Sequence, residues 1–142
     1  MPQKKSNESI TALLTQIGKI HRNKTNELLS EAGIHAGQDI LLYFLSIEDG
    51  QTVSALVEKM CNQHATLFNM LERMEANGMV RKEKDSADKR TSRVYITSKG
   101  KNAYKKVTQT WVHLEATALA GINKEDAKIL ESLLKKVQRN LS

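Results

Sequence analysis

Apolar residues recur along most of this chain at the three- and four-residue spacing that places them on one face of an α-helix. The pattern predicts six amphipathic helices, of which the first begins near Ile10 and stops near Gly33. The second is more apolar, and it ends at the turn signal Glu48-Asp49-Gly50. The apolar positions that define the helices are, in chain order, Leu13, Leu14, Ile17, Ile20, Leu28 and Leu29; Ile40, Leu41, Phe44 and Leu45; Val53, Leu56, Val57 and Met60; Leu67, Met70, Leu71 and Met74; Tyr104, Val107, Trp111, Leu114 and Ala118; and Leu130, Leu133, Leu134, Val137 and Leu141.

Residues that begin and end helices agree with this periodicity. Thr52 is well placed to cap the third helix, and Asn123 to cap the sixth. The fifth helix is preceded by two candidate caps, Thr97 and Ser98. Gly78 follows the fourth helix and supplies a residue that readily adopts the left-handed conformation of a helix end.

A period of two residues follows Gly78. Val94 and Ile96 alternate with polar or partly polar neighbours, as in a strand that buries one face. Residues 79–84 are predicted to form its partner strand, and the turn between them is charged. The third and fourth helices are short and are joined by a break at Cys61-Asn62, which is typical of a helix-turn-helix. A helix-turn-helix followed by a β-hairpin is a winged helix.

The charge balance favours an anionic partner. The 142 residues include 22 lysines and arginines against 16 aspartates and glutamates, which gives a formal net charge of +6. No segment approaches the roughly 20 consecutive apolar residues that a membrane span needs, and the first residues lack the apolar core of a signal peptide. We therefore expect a cytoplasmic protein without a membrane partner. The single cysteine, Cys61, cannot form an intrachain disulfide, which fits a reducing compartment.

Four short motifs that follow one another in the chain resemble those of the MarR family of bacterial transcription regulators. They correspond to the family's leucine and arginine on the recognition helix, its Gly-Leu-Val exit, its Asp-x-Arg wing and its Leu-Thr-x-x-Gly strand end. Each motif alone is weak evidence for the resemblance, but four motifs in the same order and spacing are strong evidence. In this chain they are Leu71-Glu72-Arg73-Met74-Glu75, Gly78-Met79-Val80, Asp88-Lys89-Arg90 and Ile96-Thr97-Ser98-Lys99-Gly100.

The resemblance implies a mainly α fold with a small β-hairpin wing. A winged helix-turn-helix region at residues 34–100 would be flanked by a helical dimerisation region formed by residues 1–33 and 101–142. It also implies a homodimer that binds a pseudo-palindromic operator in double-stranded DNA, and we interpret the chain as a sequence-specific repressor. The apolar stripes of the outer helices agree with a partner chain, because one small lobe could not easily cover them. Packing of these stripes within a monomer is the alternative.

The resemblance further implies a ligand cleft between the dimerisation region and the winged helix. A small-molecule effector bound there would change the separation of the two recognition helices. His21, Tyr43 and Trp111 are candidates to line such a cleft, but each is equally plausible as a core residue. The effector-binding residues therefore stay unassigned.

Helix geometry selects the residues of the fourth helix that would meet DNA. Asn69 is suited to pair with adenine, Thr66 to donate to a base or touch a thymine methyl, and Arg73 to meet phosphate. An ordinary solvated helix face is the alternative. With Leu67 as the inward direction and about 100° per residue, the outward residues are Asn62, Ala65, Thr66, Asn69 and Arg73.

Two residues of this helix depart from the family pattern. Phe68 occupies a position where a small hydroxyl residue is common, and Asn69 one where arginine is common. Phe68 lies on the flank of the outward face, where it would pack under the wing or touch a thymine methyl. The base preference of relatives therefore does not transfer to this chain.

The predicted wing is rich in cationic residues. Arg90 matches the family's wing arginine, which implies insertion into a DNA minor groove. Asp88 is interpreted as a group that orients an arginine, because phosphate would repel its carboxylate. Ser54 lies near the start of the third helix and is a candidate phosphate ligand, although it is equally plausible as a capping or surface serine. The alternative is that the wing loop is a charged hairpin tip that only aids solubility. Its cationic residues are Lys84, Lys89, Arg90 and Arg93.

No motif of an enzyme is present. The chain lacks Gly-x-Ser-x-Gly, a phosphate-binding glycine loop and a zinc-protease helix motif, so we predict no catalytic residue, no cofactor and no metal site. Cys61 is interpreted as a small buried residue, with a redox sensor as the alternative. Two other functions stay open: a winged helix that binds another protein, and an architectural DNA binder without sequence preference.

Overall fold

The computed structural model describes residues 9–60 and 63–142 of the chain. All six predicted helices are present in the described residues, together with a three-stranded sheet, so the mainly α fold class is confirmed. The elements are, in chain order, α1 (Ile10–Ser30), α2 (Gln38–Ile47), β1 (Gln51–Thr52), α3 (Val53–Met60), α4 (His64–Ala76), β2 (Val80–Lys84), β3 (Ser92–Ile96), α5 (Ser98–Ala118) and α6 (Lys124–Leu141).

The sheet has the strand order β1-β3-β2, and both pairs are antiparallel. Val94 in the central strand lies opposite Gln51 on one side and Lys82 on the other. Val94 and Ile96 are buried as predicted. The pattern does not predict β1, because two residues are too few to show the alternation that marks a strand.

Each predicted helix cap is formed in the structure. The Thr52 hydroxyl accepts from the backbone N–H of Ala55 at 3.1 Å, and the Asn123 side chain accepts from Asp126 at 2.8 Å. At the start of α5 the cap is Thr97, whose hydroxyl accepts from the N–H of Gly100 at 3.1 Å. These bonds satisfy amide groups that have no partner inside their own helix.

The end of α4 explains how the chain turns into the wing. Gly78 has φ +75°, and its N–H donates to the carbonyl of Glu75 at 3.0 Å. The next N–H, of Met79, donates to the carbonyl of Met74 at 2.9 Å. The two bonds form a Schellman motif, in which a left-handed glycine reverses the chain without a steric penalty. Strand β2 therefore begins shortly after α4 ends.

The chain divides into two compact units, and the first ends at Thr110. Within it, the α1 residue Arg22 donates to Asp39 Oδ2 at 2.9 Å, and the Asp39 side chain is fully buried. Its core lies between α2, α3, α4 and the sheet and includes Leu41, Leu42, Leu45, Leu56, Leu67, Leu71, Met74 and Val94. This core fixes α4 from one side, so the opposite side of α4 faces outward.

The second unit, Trp111–Ser142, contains the end of α5 and all of α6. Its residues Glu115, Leu119, Leu130 and Leu134 line an open groove of about 560 Å³. Within the described residues, no helix is both long and apolar enough to cross a membrane. The division of the chain into residues 1–33 with 101–142 and residues 34–100 concerns dimerisation and stays a prediction.

Candidate nucleic-acid interface

The outward side of α4 presents a row of small and polar side chains. Leu67, Leu71 and Met74 are fully buried, so residues on the other side of the helix point to solvent. Ala65, Thr66, Asn69 and Arg73 are all exposed there, as the helix geometry predicts. Asn62, the fifth residue predicted for this face, lies outside the described residues, as does Cys61.

One flank of this face meets the turn before α2. Thr66, Asn69 and Arg73 line a shallow depression of about 290 Å³ together with His35 and Ala36. The turn is shaped by the side chain of Gln38, which accepts from the N–H of His35 at 3.0 Å. His35 is not predictable as part of this surface, because no local pattern connects it with a helix some thirty residues later in the chain.

Glu72 is a second residue of this surface outside the predicted set. It is exposed and lies about 140° from Leu67 around the helix axis, and therefore on the outward side. A carboxylate in a major groove can accept from the amino group of cytosine. The helical spacing of Glu72 from Leu67 already places it on the outward face, although an acidic residue is not typical of a surface that contacts phosphate.

The carboxylate of Asp88 orders the tip of the wing loop. Asp88 Oδ1 accepts from the backbone N–H of Arg90 at 3.0 Å, and it lies 3.6 Å from the guanidinium Nε of the same residue. The Asp88 carbonyl accepts from the N–H of Thr91 at 3.0 Å. The geometry agrees with the interpretation of Asp88 as a group that orients an arginine. The Arg90 side chain is 95% exposed at the tip of the wing, beside the exposed Lys89.

Arg93 has two internal partners. Its Nη1 donates to the carbonyl of Gly50 at 2.8 Å, and its Nε lies 3.4 Å from Asp85 Oδ1. The side chain thus ties the wing to the turn before β1, while 41% of it stays exposed. Its role as a DNA contact stays a prediction, and the structure adds a supporting role that local sequence patterns do not reveal.

Strand β2 adds a further cation to the outer face of the wing. The guanidinium carbon of Arg81 lies 4.4 Å from the ring centre of Tyr95, its cross-strand neighbour, and Arg81 also pairs with Glu83. Such stacking holds an arginine near a surface at little cost in flexibility. The alternation of inward and outward residues in β3 predicts that Tyr95 lies on this face. The position of Arg81 opposite Tyr95 follows only from the register of β2 with β3.

Phe68 lies on the flank of α4 that faces the wing. The ammonium of Lys82 is 4.8 Å from the centre of its ring, and 44% of the residue remains exposed. Lys82 is held in turn by Glu75, which accepts from its backbone N–H at 3.2 Å. The prediction that Phe68 packs under the wing is confirmed for one side of the ring.

Ser54 is exposed in the first turn of α3. The first backbone N–H groups of a helix point along its axis past the N-terminal end, and the Thr52 cap accepts from one of them in α3. Ser54 is therefore placed where a phosphate contact is geometrically available. In the described part of the chain, no group of three or more His, Asp or Glu side chains is arranged to hold a metal ion.

Comparison with known proteins shows which family the chain resembles. A family model described as "MarR family" matches residues 38–92, the stretch from the start of α2 to the start of β3. The wild-type apo MarR of Escherichia coli has the same fold, with a TM-score of 0.83, 25% sequence identity, and coverage of 91% of this chain and 96% of that one. The chain thus resembles the MarR family, in sequence over residues 38–92 and in fold over most of its length. It is a transcriptional regulator of the winged helix-turn-helix type and not an enzyme.

Further transcriptional regulators are similar to more than half of the chain. The uncharacterised HTH-type regulator YybA of Bacillus subtilis is 24% identical over 132 residues, which cover 91% of this chain and 88% of YybA. The regulator HosA of Escherichia coli is 32% identical over 83 residues, 58% of this chain and 62% of HosA. A MarR-family protein of Listeria monocytogenes, solved with a 26mer DNA, shares the fold with a TM-score of 0.79 at 23% identity, covering 94% of this chain and 89% of that one.

Proposed function

We propose that this protein is a homodimeric, sequence-specific DNA-binding repressor that a small-molecule effector releases from its operator. One observation carries the proposal. The exposed polar face of α4 lies beside a cationic wing whose Arg90 side chain is 95% exposed, and a buried core fixes the orientation of the helix. This is the arrangement that a duplex requires from a helix in one groove and a wing beside it.

In this proposal the first turns of α4 enter the major groove. Asn69 reads adenine through its amide, Thr66 contacts a base edge, and Ala65 lets the helix approach closely. Arg73 lies one helical turn further along and contacts phosphate, as does Ser54 at the start of α3. Exposure of all five side chains supports these roles, since a base or phosphate must reach each of them.

The wing supplies contacts to the neighbouring minor groove. Arg90 inserts its guanidinium there, and Lys89 and Arg93 lie close enough to phosphates to add to the local positive field. Support comes from the Asp88 hydrogen bond to the Arg90 backbone, because an ordered loop loses less conformational entropy on binding than a flexible one.

The proposal of a homodimer rests on apolar surface that each unit leaves exposed. In α1, Ile10, Ile17 and Ile20 are 73%, 51% and 62% exposed. In α6, Leu133 is 53% exposed, and the groove between α5 and α6 is lined by further leucines. A second copy of the chain would cover such faces. Two-fold symmetry would then present two α4 helices to half-sites about one helical turn apart.

A groove near the start of α5 supports the proposed response to an effector. It has a volume of about 560 Å³ and is lined by Leu45, Ile47, Ile96 and Tyr104, with Lys101 and Lys105 at its edge. Apolar walls beside two lysines suit a small organic anion. His21, Tyr43 and Trp111, the earlier candidates, do not line this groove, and their assignment stays a prediction.

The decisive experiment is selection of bound duplexes from a random pool by the purified protein, at near-physiological salt and with competitor DNA. We expect a pseudo-palindrome with half-sites about one helical turn apart. Binding without a recovered motif would replace the repressor by an architectural DNA binder. Absence of binding even at low salt would point to a protein partner, since phosphate contacts strengthen as salt falls.

A further inference from the structure

Phe68 is the one large apolar side chain that α4 exposes among its described residues, and it borders the face proposed to enter the major groove. It precedes Asn69 in the chain and lies about 100° around the helix from the buried Leu67. Its neighbours on that face are small or polar, namely Ala65, Asn69 and Glu72. The position of an exposed aromatic ring there is explained either by packing against a neighbouring element or by contact with a ligand.

Packing accounts for one face of the ring. Lys82 covers that face with its ammonium 4.8 Å from the ring centre, and the Lys82 side chain is itself only 17% exposed. Glu75 holds Lys82 through the backbone bond at 3.2 Å and through its second carboxylate oxygen, 4.0 Å from the ammonium. The ring is thus set at a fixed angle to α4, and 44% of the residue still faces solvent.

We propose that Phe68 is a specificity-determining residue that contacts the C5-methyl group of a thymine in each half-site. The methyl group is the one apolar feature that a base pair presents in the major groove, and an aromatic side chain is a suitable contact for it. A contact with a methyl group needs no hydrogen bond. The Phe68 ring can therefore pack against Lys82 with one face and against the methyl group with the other face. This inference rests on the proposed binding of α4 to DNA.

The test replaces thymine by deoxyuridine in the selected operator, one symmetric pair of positions at a time. Deoxyuridine lacks only the methyl group and keeps the same hydrogen-bonding edge. At one pair of positions we expect the wild-type affinity to fall about fourfold for each half-site, or about fifteenfold for both, which is the factor expected for one methyl-sized group per half-site. Because this arm uses the unaltered protein, it does not depend on how a variant folds.

Variants assign the discrimination to Phe68. Phe68→Ala should bind the thymine operator more weakly and no longer distinguish it from the deoxyuridine operator, with an unchanged dependence on salt because no phosphate contact is lost. Phe68→Leu keeps an apolar group and should retain a preference for thymine. Val112→Ala truncates another exposed apolar side chain, in α5 and outside the proposed DNA contacts, and its preference for thymine should equal that of the wild type.

Three outcomes would overturn the proposal: equal binding of both operators at every position, persistent discrimination in Phe68→Ala, or selected half-sites that contain no thymine. In each of these cases the protein still binds a specific operator, so the proposed function survives. A protein that binds no duplex would instead refute the proposed function, and this inference with it.

Discussion

At the scale of single residues, three arginines of this chain serve different purposes. Arg22 is committed to the buried carboxylate of Asp39, and Arg93 to the Gly50 carbonyl and Asp85. Only Arg90 of the three is almost completely exposed. It can reach a phosphate or a minor groove without giving up a contact that supports the fold. The net charge of the chain includes all three arginines equally and does not show which of them is available to bind DNA.

Arg90→Ala should therefore weaken DNA binding without affecting stability. We expect the affinity to fall about tenfold for each half-site, or about a hundredfold for the dimer, as for loss of one charged hydrogen bond of about 1.5 kcal/mol in each protomer. The slope of log affinity against log salt should decrease by about one per half-site, or about two for the dimer. Fluorescence anisotropy over a salt series measures both quantities. Arg139→Ala in α6 removes the same charge far along the sequence from the wing and should leave the slope unchanged; equal effects of the two variants would show that only net charge matters.

Arg22→Met tests the supporting role of an arginine. The Asp39 carboxylate is fully buried, and its Oδ1 has no hydrogen-bond partner in the described ranges. Loss of Arg22 would leave this charge uncompensated, so we expect the free energy of unfolding to fall by about 2 kcal/mol. Urea unfolding at a fixed protein concentration measures the change. The double variant Arg22→Met with Asp39→Asn should recover part of the loss; additive effects of the two substitutions would contradict a coupling between them.

At the scale of elements, the wing is held in place by close backbone contact as much as by side chains. Gly100 in the first turn of α5 lies against the segment that connects α4 to β2, where an added Cβ would come within 2.1 Å of the Met79 carbonyl oxygen. Thr97 adds a hydroxyl bond to the carbonyl of Gly78 at 2.5 Å. Helix α5 thus begins where α4 ends, and the strands between them have little freedom to shift.

Gly100→Ala should disturb this junction. The clash is with backbone, which cannot move away as a side chain would, so we expect a loss of about 1–3 kcal/mol of stability. The matched control is Gly18→Ala in the middle of α1, where nothing lies within 4 Å of the added methyl group. That substitution should raise stability by about 0.5–1 kcal/mol, because alanine favours a helix over glycine. Thermal unfolding measures the stability of both variants. An increase in stability for Gly100→Ala would contradict the close contact.

The elements also show which features a sequence can predict. Periodicity and capping residues gave all six helices and the inner face of the hairpin, because both signals lie within a few neighbouring residues. The bond from Arg93 to Gly50 joins residues 43 positions apart, and the contact of Lys82 with Phe68 depends on how β2 packs against α4. Such contacts follow from the tertiary structure. The sequence therefore predicts which residues of α4 face outward, but not which residues of other elements pack against the two sides of that face.

At the scale of the whole molecule, the main question is what covers the apolar faces of the outer helices. Leu130, Leu133 and Leu134 of α6 are 39%, 53% and 39% exposed, although a helix with so strong an apolar stripe usually buries it. In the compact unit that contains them, α6 and the end of α5 leave these residues open. The proposed homodimer explains this exposure and the two-fold symmetry of the expected operator together.

Leu133→Glu should therefore separate the protomers without unfolding them. The side chain is already half exposed in the single chain, but a carboxylate at a buried interface would lack a partner in both copies. We expect the dissociation constant of the dimer to rise at least about a hundredfold, since each of the two sites costs about 1.5 kcal/mol or more. Sedimentation equilibrium would show the mass falling from twice the 16.0 kDa of one chain toward that of one chain. Ser132→Glu places the same charge on the polar side of α6 and should remain dimeric. Loss of operator binding in Leu133→Glu alone would connect dimerisation to function, whereas a wild-type protein that sediments as a single chain would refute the dimer.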